Sequence, residues 1–258
     1  MGTIADKLEY IASNEERVYQ HGLDRGYGNG YDDGYSGGYS ECYDAFWDSA
    51  QDYGNRTNYE YAFVYDTWND ETFKPKYPLK PVGSCRYMFR FSKIVDLAEC
   101  LRRGGLTEID FSKATKVDYC FRDSTIKRLP KIIVGDNTQM NGMLAYSDSV
   151  EVIEELYLPP TYDKLYAHVY LMNNLRECNI SGLITCNISF ANSAQLTTED
   201  AINTILHLKD FSFEEENMYK YTITFHADVW ARLDALGNAS PIEDTWRNWC
   251  IDMGWLTA

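Results

Sequence analysis

Three observations in the sequence predict an α/β protein in three parts, a helical N-terminal stalk, a solenoid of short repeats and a mixed α/β C-terminal cap. A large apolar or aromatic residue returns at every fourth position near the N-terminus. Apolar triplets return every 22 to 24 residues in the middle, and helix and strand signals alternate at the C-terminal end. The 258 residues, 45% hydrophobic and 15% aromatic, suffice for one or two domains with a sizeable core.

The stalk is expected over residues 1–50. Thr3 and Asp6 resemble a capping box with Asp in place of Glu, and Ile4, Leu8, Ile11 and Val18 fall on a short heptad seam. The seam leads into Tyr19, Leu23, Tyr27, Tyr31, Tyr35, Tyr39, Tyr43 and Trp47, with Gly22, Gly26, Gly30, Gly34 and Gly38 each preceding a member of the stripe. A four-residue step overshoots the helical turn by about 40°, so the stripe winds around the helix and partner helices must wind with it. Each glycine costs a lone helix roughly 0.5–1 kcal/mol relative to alanine, a cost that close backbone approach and aromatic packing between helices would offset. A coiled-coil-like, homo-oligomeric stalk is therefore expected, with a trimer as the favoured state; the competing reading is a flexible Gly/Tyr-rich tether.

A neck is expected over residues 51–82, because Pro75, Pro78 and Pro81 remove backbone donors and forbid a continuing helix. The solenoid is expected over 83–195. Ile109-Asp110-Phe111, Ile132-Ile133-Val134, Leu156-Tyr157-Leu158 and Cys178-Asn179-Ile180 read as short strands, which puts Phe111, Val134, Leu158 and Ile180 at steps of 23, 24 and 22 residues. A lagging position recurs as Phe121 to Ser124, Leu144 to Ser147, and less closely Val169 to Asn173 and Phe190 to Ser193. One strand and one apolar return per 20–29 residues is the period of a leucine-rich-repeat solenoid, in which no single turn can bury its own apolar face.

The cap is expected over 196–258. Thr197 and Asp200 open a helix with Ile202, Ile205 and Leu206 inward, and Tyr221 to Phe225 alternates as a strand does. Ser240, Pro241 and Glu243 read as the start of a last helix, Trp246, Trp249 and Cys250 as its apolar face, and Gly254 as its stop.

A formal charge of −15 disfavours general binding to nucleic acid. The charge is uneven, since Lys74 to Lys131 holds 14 Lys and Arg against 6 Asp and Glu, a net +8, leaving −23 for the remainder. Such a stretch is a solvated basic face or a dock for an acidic part of the same chain or a neighbour. No apolar run is long enough to span a bilayer, and the first residues lack the basic start and apolar stretch of a secretory signal, so membrane insertion and export are not expected. The seven cysteines, at irregular spacing and without a Cys-x-x-Cys pair, read as small buried hydrophobes rather than disulfides or zinc ligands.

Catalytic signals are weak. His21, His168, His207 and His226 show no metal-type pairing, and Asp32-Asp33 and Glu214-Glu215-Glu216 sit in polar runs where nothing would separate two carboxyl pKa values. No nucleophile elbow, phosphate loop or dinucleotide fingerprint is present, so neither catalysis nor a cofactor nor a metal is expected. The binding candidates are better: Tyr157, Tyr162, Tyr166, His168 and Tyr170 crowd into one stretch, and aromatic rings on a rigid scaffold form sugar- and protein-binding surfaces.

The runs Tyr43 to Asp48, Gly54 to Tyr59, Phe73 to Tyr77, Met88 to Ser92 and Ile109 to Ser112 resemble the BspA-type leucine-rich-repeat proteins of gut Firmicutes and their prophages. The resemblance covers most of the chain and implies a virion component, a tail fibre or other appendage, with a structural or receptor-binding role. It implies other virion proteins as partners and a host-surface glycan or protein as ligand. It supplies no catalytic residues. Relatives with a secretion signal look like surface adhesins, a role that this sequence, without signal or wall anchor, does not favour. A tail-associated carbohydrate-active enzyme and an intracellular protein-interaction scaffold are the alternatives.

Overall fold

The computed structural model describes residues 62–63, 68–75, 78–140, 142–144, 146–160, 166–167, 173–237 and 245–258. The expected stalk, from Ile4 to Trp47, lies outside the described residues, as do most of the expected neck and the proposed helix start at Ser240 to Glu243. The described residues form an α/β fold with two four-stranded parallel sheets and four helices.

The first sheet is made, in spatial order, of β1 (Glu108–Phe111), β2 (Arg128–Val134), β3 (Val152–Leu158) and β5 (Glu177–Gly182). All four apolar triplets read from the sequence lie in these strands. Register converts them into buried columns that run across the sheet. Leu79 bridges Ile109, Ile109 pairs with Ile132, Ile132 with Leu156 and Leu156 with Ile180, and all five side chains are buried. Parallel pairing requires that each strand be followed by a return crossing, and the column keeps only the apolar face of each strand out of water.

The pairing corrects one sequence-based alignment. Ile180 is opposite Leu156, not Leu158, so the last step of the repeat is longer than the spacing of the triplet ends suggests. Leu158 instead faces Gly182, whose φ is +85° and where a Cβ would stand 1.9 Å from the Leu158 carbonyl oxygen. Only glycine fits that approach. A register shift between Ile153 and Leu156 absorbs the slip. The first step, Leu79 to Ile109, is longer than those that follow because its return holds helix α1 (Leu97–Arg103).

The return segments before β1, between β1 and β2 and between β2 and β3 are held by columns of their own, although the one before β1 also holds α1. Phe63 stacks on Phe89 and Phe89 on Phe121, with centroids 5.1 and 5.4 Å apart, while the Phe89 and Phe121 amides donate to the Cys120 and Met143 carbonyls of the following turn. Ser92, Ser124, Ser147 and Ser193 form a buried hydroxyl series. Ser147 Oγ reaches the Phe121 carbonyl of the preceding turn at 2.9 Å, and Thr138 Oγ1 donates to the Phe111 or Ala114 carbonyl at the same distance. These bonds answer backbone acceptors that the returns would otherwise bury unpaired.

The second sheet is made, in spatial order, of β4 (Tyr166–Ala167), β6 (Asn187–Phe190), β7 (Thr222–Phe225) and β8 (Leu256–Thr257). Its later crossings are helical: α2 (Thr198–Leu206) between β6 and β7, then α3 (Ala227–Ala235) and α4 (Trp246–Asp252) between β7 and β8. Thr197 caps α2 as the sequence predicts, accepting from the Asp200 amide. The inward face differs from the expectation. Ala201, Thr204 and Ile205 are buried, Ile202 is half-buried, and Leu206 is 57% exposed. Leu206 is the last helical residue, beyond the stripe that faces β5.

Helix α4 is capped by Thr245, whose side chain accepts from the Asn248 amide, a short way past the start signals at Ser240 to Glu243. Trp246 and Cys250 are buried as expected and Trp249 is half-buried. Gly254 follows at φ +82°, and the Trp255 amide returns to the Cys250 carbonyl, so the helix stops where the sequence places its glycine. Trp255 and Tyr221 close the end of this region with Phe211.

Candidate functional site

Two surfaces carry chemistry-bearing side chains, and each follows from the stacking just described. The first is the outward face of the β1-β2-β3-β5 sheet. Residues alternating with the buried columns line up across it as Glu108, Lys131 and Glu155, and as Asp110, Ile133, Tyr157 and Ser181. Lys131 Nζ sits 3.1 Å from Glu155 Oε1, to which Ser181 Oγ also donates. At the sheet's end Glu154 Oε1 accepts from Arg102 Nη1 at 2.8 Å and Arg128 Nε at 2.7 Å.

These contacts explain much of the basic stretch. Lys80 pairs with Asp110, Lys127 with Glu151, Arg128 with Glu154 and Lys131 with Glu155, so basic residues of one turn meet carboxylates of another. Burial alone would raise the carboxyl pKa values here, but the bound cations and hydroxyls outweigh it. Arg102 and Arg128 hold Glu154 below the ordinary glutamate range, Ser181 and Lys131 do the same for Glu155, and Ser112 and Lys80 for Asp110. A general acid needs the opposite shift.

Of the aromatic candidates chosen from the sequence, Tyr157 is half-buried on this face, beside Gly182, in the row with Ile133 and Ser181. Tyr166 belongs to β4 and pairs by its backbone with Asn187 in the other sheet. Tyr162, His168 and Tyr170 lie outside the described residues. Two of the four histidines are structural: His226 caps α3, accepting from the Asp228 amide, and His207 Nδ1 meets the Asn203 carbonyl at 2.7 Å. The six described cysteines are buried, with none in a disulfide, and burial pushes the thiols of Cys100 and Cys250 up to about 12. Among the described residues no group of His, Cys, Asp and Glu could hold a metal ion, and no helix is long and apolar enough to cross a membrane.

The second surface lies on the irregular segments of the returns before β1, after β1 and after β2, and has no counterpart among the sequence-predicted sites. Each return carries two residues with positive φ four positions apart: Tyr87 and Phe91, Tyr119 and Asp123, Gly142 and Tyr146. Five of these six are not glycine, although left-handed backbone costs an L-residue on the order of 1 kcal/mol. The result is a column of rings and guanidinium groups. Tyr87 stacks on Tyr119 with planes 10° apart and centroids 5.7 Å apart. Arg122 lies over both Tyr119 and Tyr146, at 5.5 and 4.6 Å from their centroids, and Arg90 lies over both Tyr87 and Phe91, at 5.2 and 4.4 Å. Arg86 lies over Tyr87 from the same turn, with its Nε buried and making no hydrogen bond. Asp123 is the shared anion, 3.4 Å from Arg90 Nε and 3.2 Å from Arg122 Nε.

The sequence does carry a signal for this column. Tyr87-Met88-Phe89-Arg90-Phe91-Ser92 and Tyr119-Cys120-Phe121-Arg122-Asp123-Ser124 share Tyr, Phe, Arg and Ser at the same places, at a spacing that α1 lengthens beyond the period of the strands. The buried Phe and Ser are legible as a return; the outward Tyr and Arg between them answer to no rule of burial. Comparison of the chain with family models, with curated proteins and with solved structures found no match.

Proposed function

We propose that this chain is a non-enzymatic structural and recognition protein whose stacked turns form a leucine-rich-repeat-type head carried on an oligomeric N-terminal stalk. The observation that carries the reading is the unbroken buried column from Leu79 through Ile109, Ile132 and Leu156 to Ile180, in which successive parallel strands pair in register. Side chains that repeat along stacked turns suit display of a binding surface. The lowered pKa values of Asp110, Glu154 and Glu155 suit ion-pair partners rather than general acids.

The setting that fits is a virion appendage such as a tail fibre, following the sequence resemblance, with other virion proteins as neighbours and a host-surface glycan or protein as target. Residues 1–50 assemble the chains, as a trimer, through the tyrosine stripe and its glycines. Light scattering of the full-length chain at micromolar concentration tests assembly, with a trimer expected and a monomer contradicting it. Gly26→Leu with Gly30→Leu and Gly34→Leu should abolish assembly, whereas a loose tether would tolerate the change. Sedimentation with host envelope fractions tests recognition, and failure of the wild-type chain to bind any fraction would remove that half of the reading.

A further inference from the structure

The ring and guanidinium column has a composition that no packing requirement explains. Its core partners, Phe89, Phe121, Ser92 and Ser124, are buried, while Phe91 is 40% and Tyr146 49% exposed beside partly exposed Arg90 and Arg122. The rings cover the faces of the two guanidinium groups, so what remains for hydrogen bonding is their edges. In both arginines the bond to Asp123 is made by Nε, and the Nη pair makes no hydrogen bond to a described residue. One carboxylate thus serves two guanidinium groups, with Arg86 a third cation on the same column. The rings on either side fix the orientation of these donors.

Resting on the recognition role proposed above, we propose that this column, from Arg86 and Tyr87 through Arg90, Tyr119 and Arg122 to Tyr146, binds a carboxylate-bearing polysaccharide. The chemistry fits in two respects. Carboxylates suit the open guanidinium edges, as Asp123 demonstrates from inside the site. The flat C–H faces of sugar rings suit the exposed Tyr146 and Phe91, whereas an acidic peptide offers carboxylates without such faces. The repetition also fits. A single exposed ion pair contributes little, but two successive turns present the same Tyr/Arg pair, and a polymer with an acid on its repeating units engages both at once.

The test uses the full-length chain and four immobilised probes: polygalacturonate, neutral dextran, dextran sulfate and poly-glutamate. Polygalacturonate should bind, weaken as salt is raised, and exceed poly-glutamate and dextran sulfate by about tenfold, with neutral dextran weaker still. Arg90→Gln with Arg122→Gln should lower that affinity about tenfold, and Tyr146→Ala, a half-exposed ring, about fivefold, with the far-UV circular dichroism of each variant unchanged. Arg122→Lys keeps the charge but not the fork, and should remain weakened. Equal binding of poly-glutamate or dextran sulfate would overturn the proposal in favour of charge alone, as would absence of polygalacturonate binding or indifference to the arginine changes. Envelope binding that survives the double arginine variant would sink this inference and leave the recognition role intact, whereas no envelope binding by the wild type would sink the role itself.

Discussion

The two parallel sheets solve the same problem in different ways. In β1-β2-β3-β5 the irregular segments of the first returns pack on the equivalent segments of the adjacent turn: Phe on Phe, Ser to carbonyl, Tyr on Tyr. In β4-β6-β7-β8 the later crossings are helices, which satisfy their own backbone groups and need only an apolar stripe to dock. The consequence is visible in spacing. Pairing in the first sheet keeps nearly the same separation from Ile109 to Ile132, Ile132 to Leu156 and Leu156 to Ile180, whereas the steps from Ile188 to Ile223 and Ile223 to Thr257 are far longer. A segment that packs on its copy must keep its own register, as Tyr87 to Ser92 does although α1 lengthens the rest of its return; a helix can be lengthened, shortened or joined to a second without disturbing its neighbours.

The largest effect that would break this contrast is loss of a ring from the return column. Phe121→Ala removes a fully buried ring stacked on Phe89 and should cost about 3–5 kcal/mol in chemical denaturation, with hydrogen exchange rising at the Phe89 and Met143 amides on the two adjacent turns. A change confined to one turn would mean that the returns are independent after all. Gly182→Ala comes next, at about 2–3 kcal/mol, since its Cβ meets the Leu158 carbonyl and its φ is positive. An unchanged urea midpoint would show that β3 and β5 can move apart freely.

Insertions sharpen the comparison. Two glycines placed between Asp136 and Asn137, in the turn after β2, should cost more than about 2 kcal/mol, because Thr138 must still reach the Phe111 and Ala114 carbonyls. The same insertion between Glu215 and Glu216, in the exposed loop before β7, should cost less than about 1 kcal/mol. Equal costs in thermal melts would erase the distinction. In the helical region, Thr245→Ala removes the cap of α4 and should cost about 1 kcal/mol.

The smallest effect is electrostatic. Glu154 has its folded pKa lowered, so the stability it contributes is present above its ordinary value of 4.5 and is lost as pH falls through the lower folded value. Glu154→Gln should cost only about 0.5 kcal/mol near neutrality, because the pair is partly exposed, and should flatten the acid limb of the stability curve. An acid limb of unchanged slope in the variant would assign that loss of stability to other carboxylates.

Local chemistry wrote much of this fold into the chain. The four apolar triplets of the first sheet, the Thr197 cap, the alternating strand at Tyr221 to Phe225 and the Gly254 stop all depend on residues a few positions apart, and each is found where those residues predict. The buried cysteines were legible too, since scattered thiols without pairing motifs behave as small hydrophobes. What neighbours in space decide was not legible. The pairing of Ile180 with Leu156 depends on a register shift in β3, and the exposure of Leu206 on where a helix runs out relative to β5. The ring and guanidinium column depends on stacking turns of unequal length, so that Tyr87, Arg122 and Tyr146 meet although no single spacing joins them. Composition announced an excess of basic residues between Lys74 and Lys131; only the stacked turns decided which arginines pair with the carboxylates of the neighbouring strand and which face outward between aromatic rings.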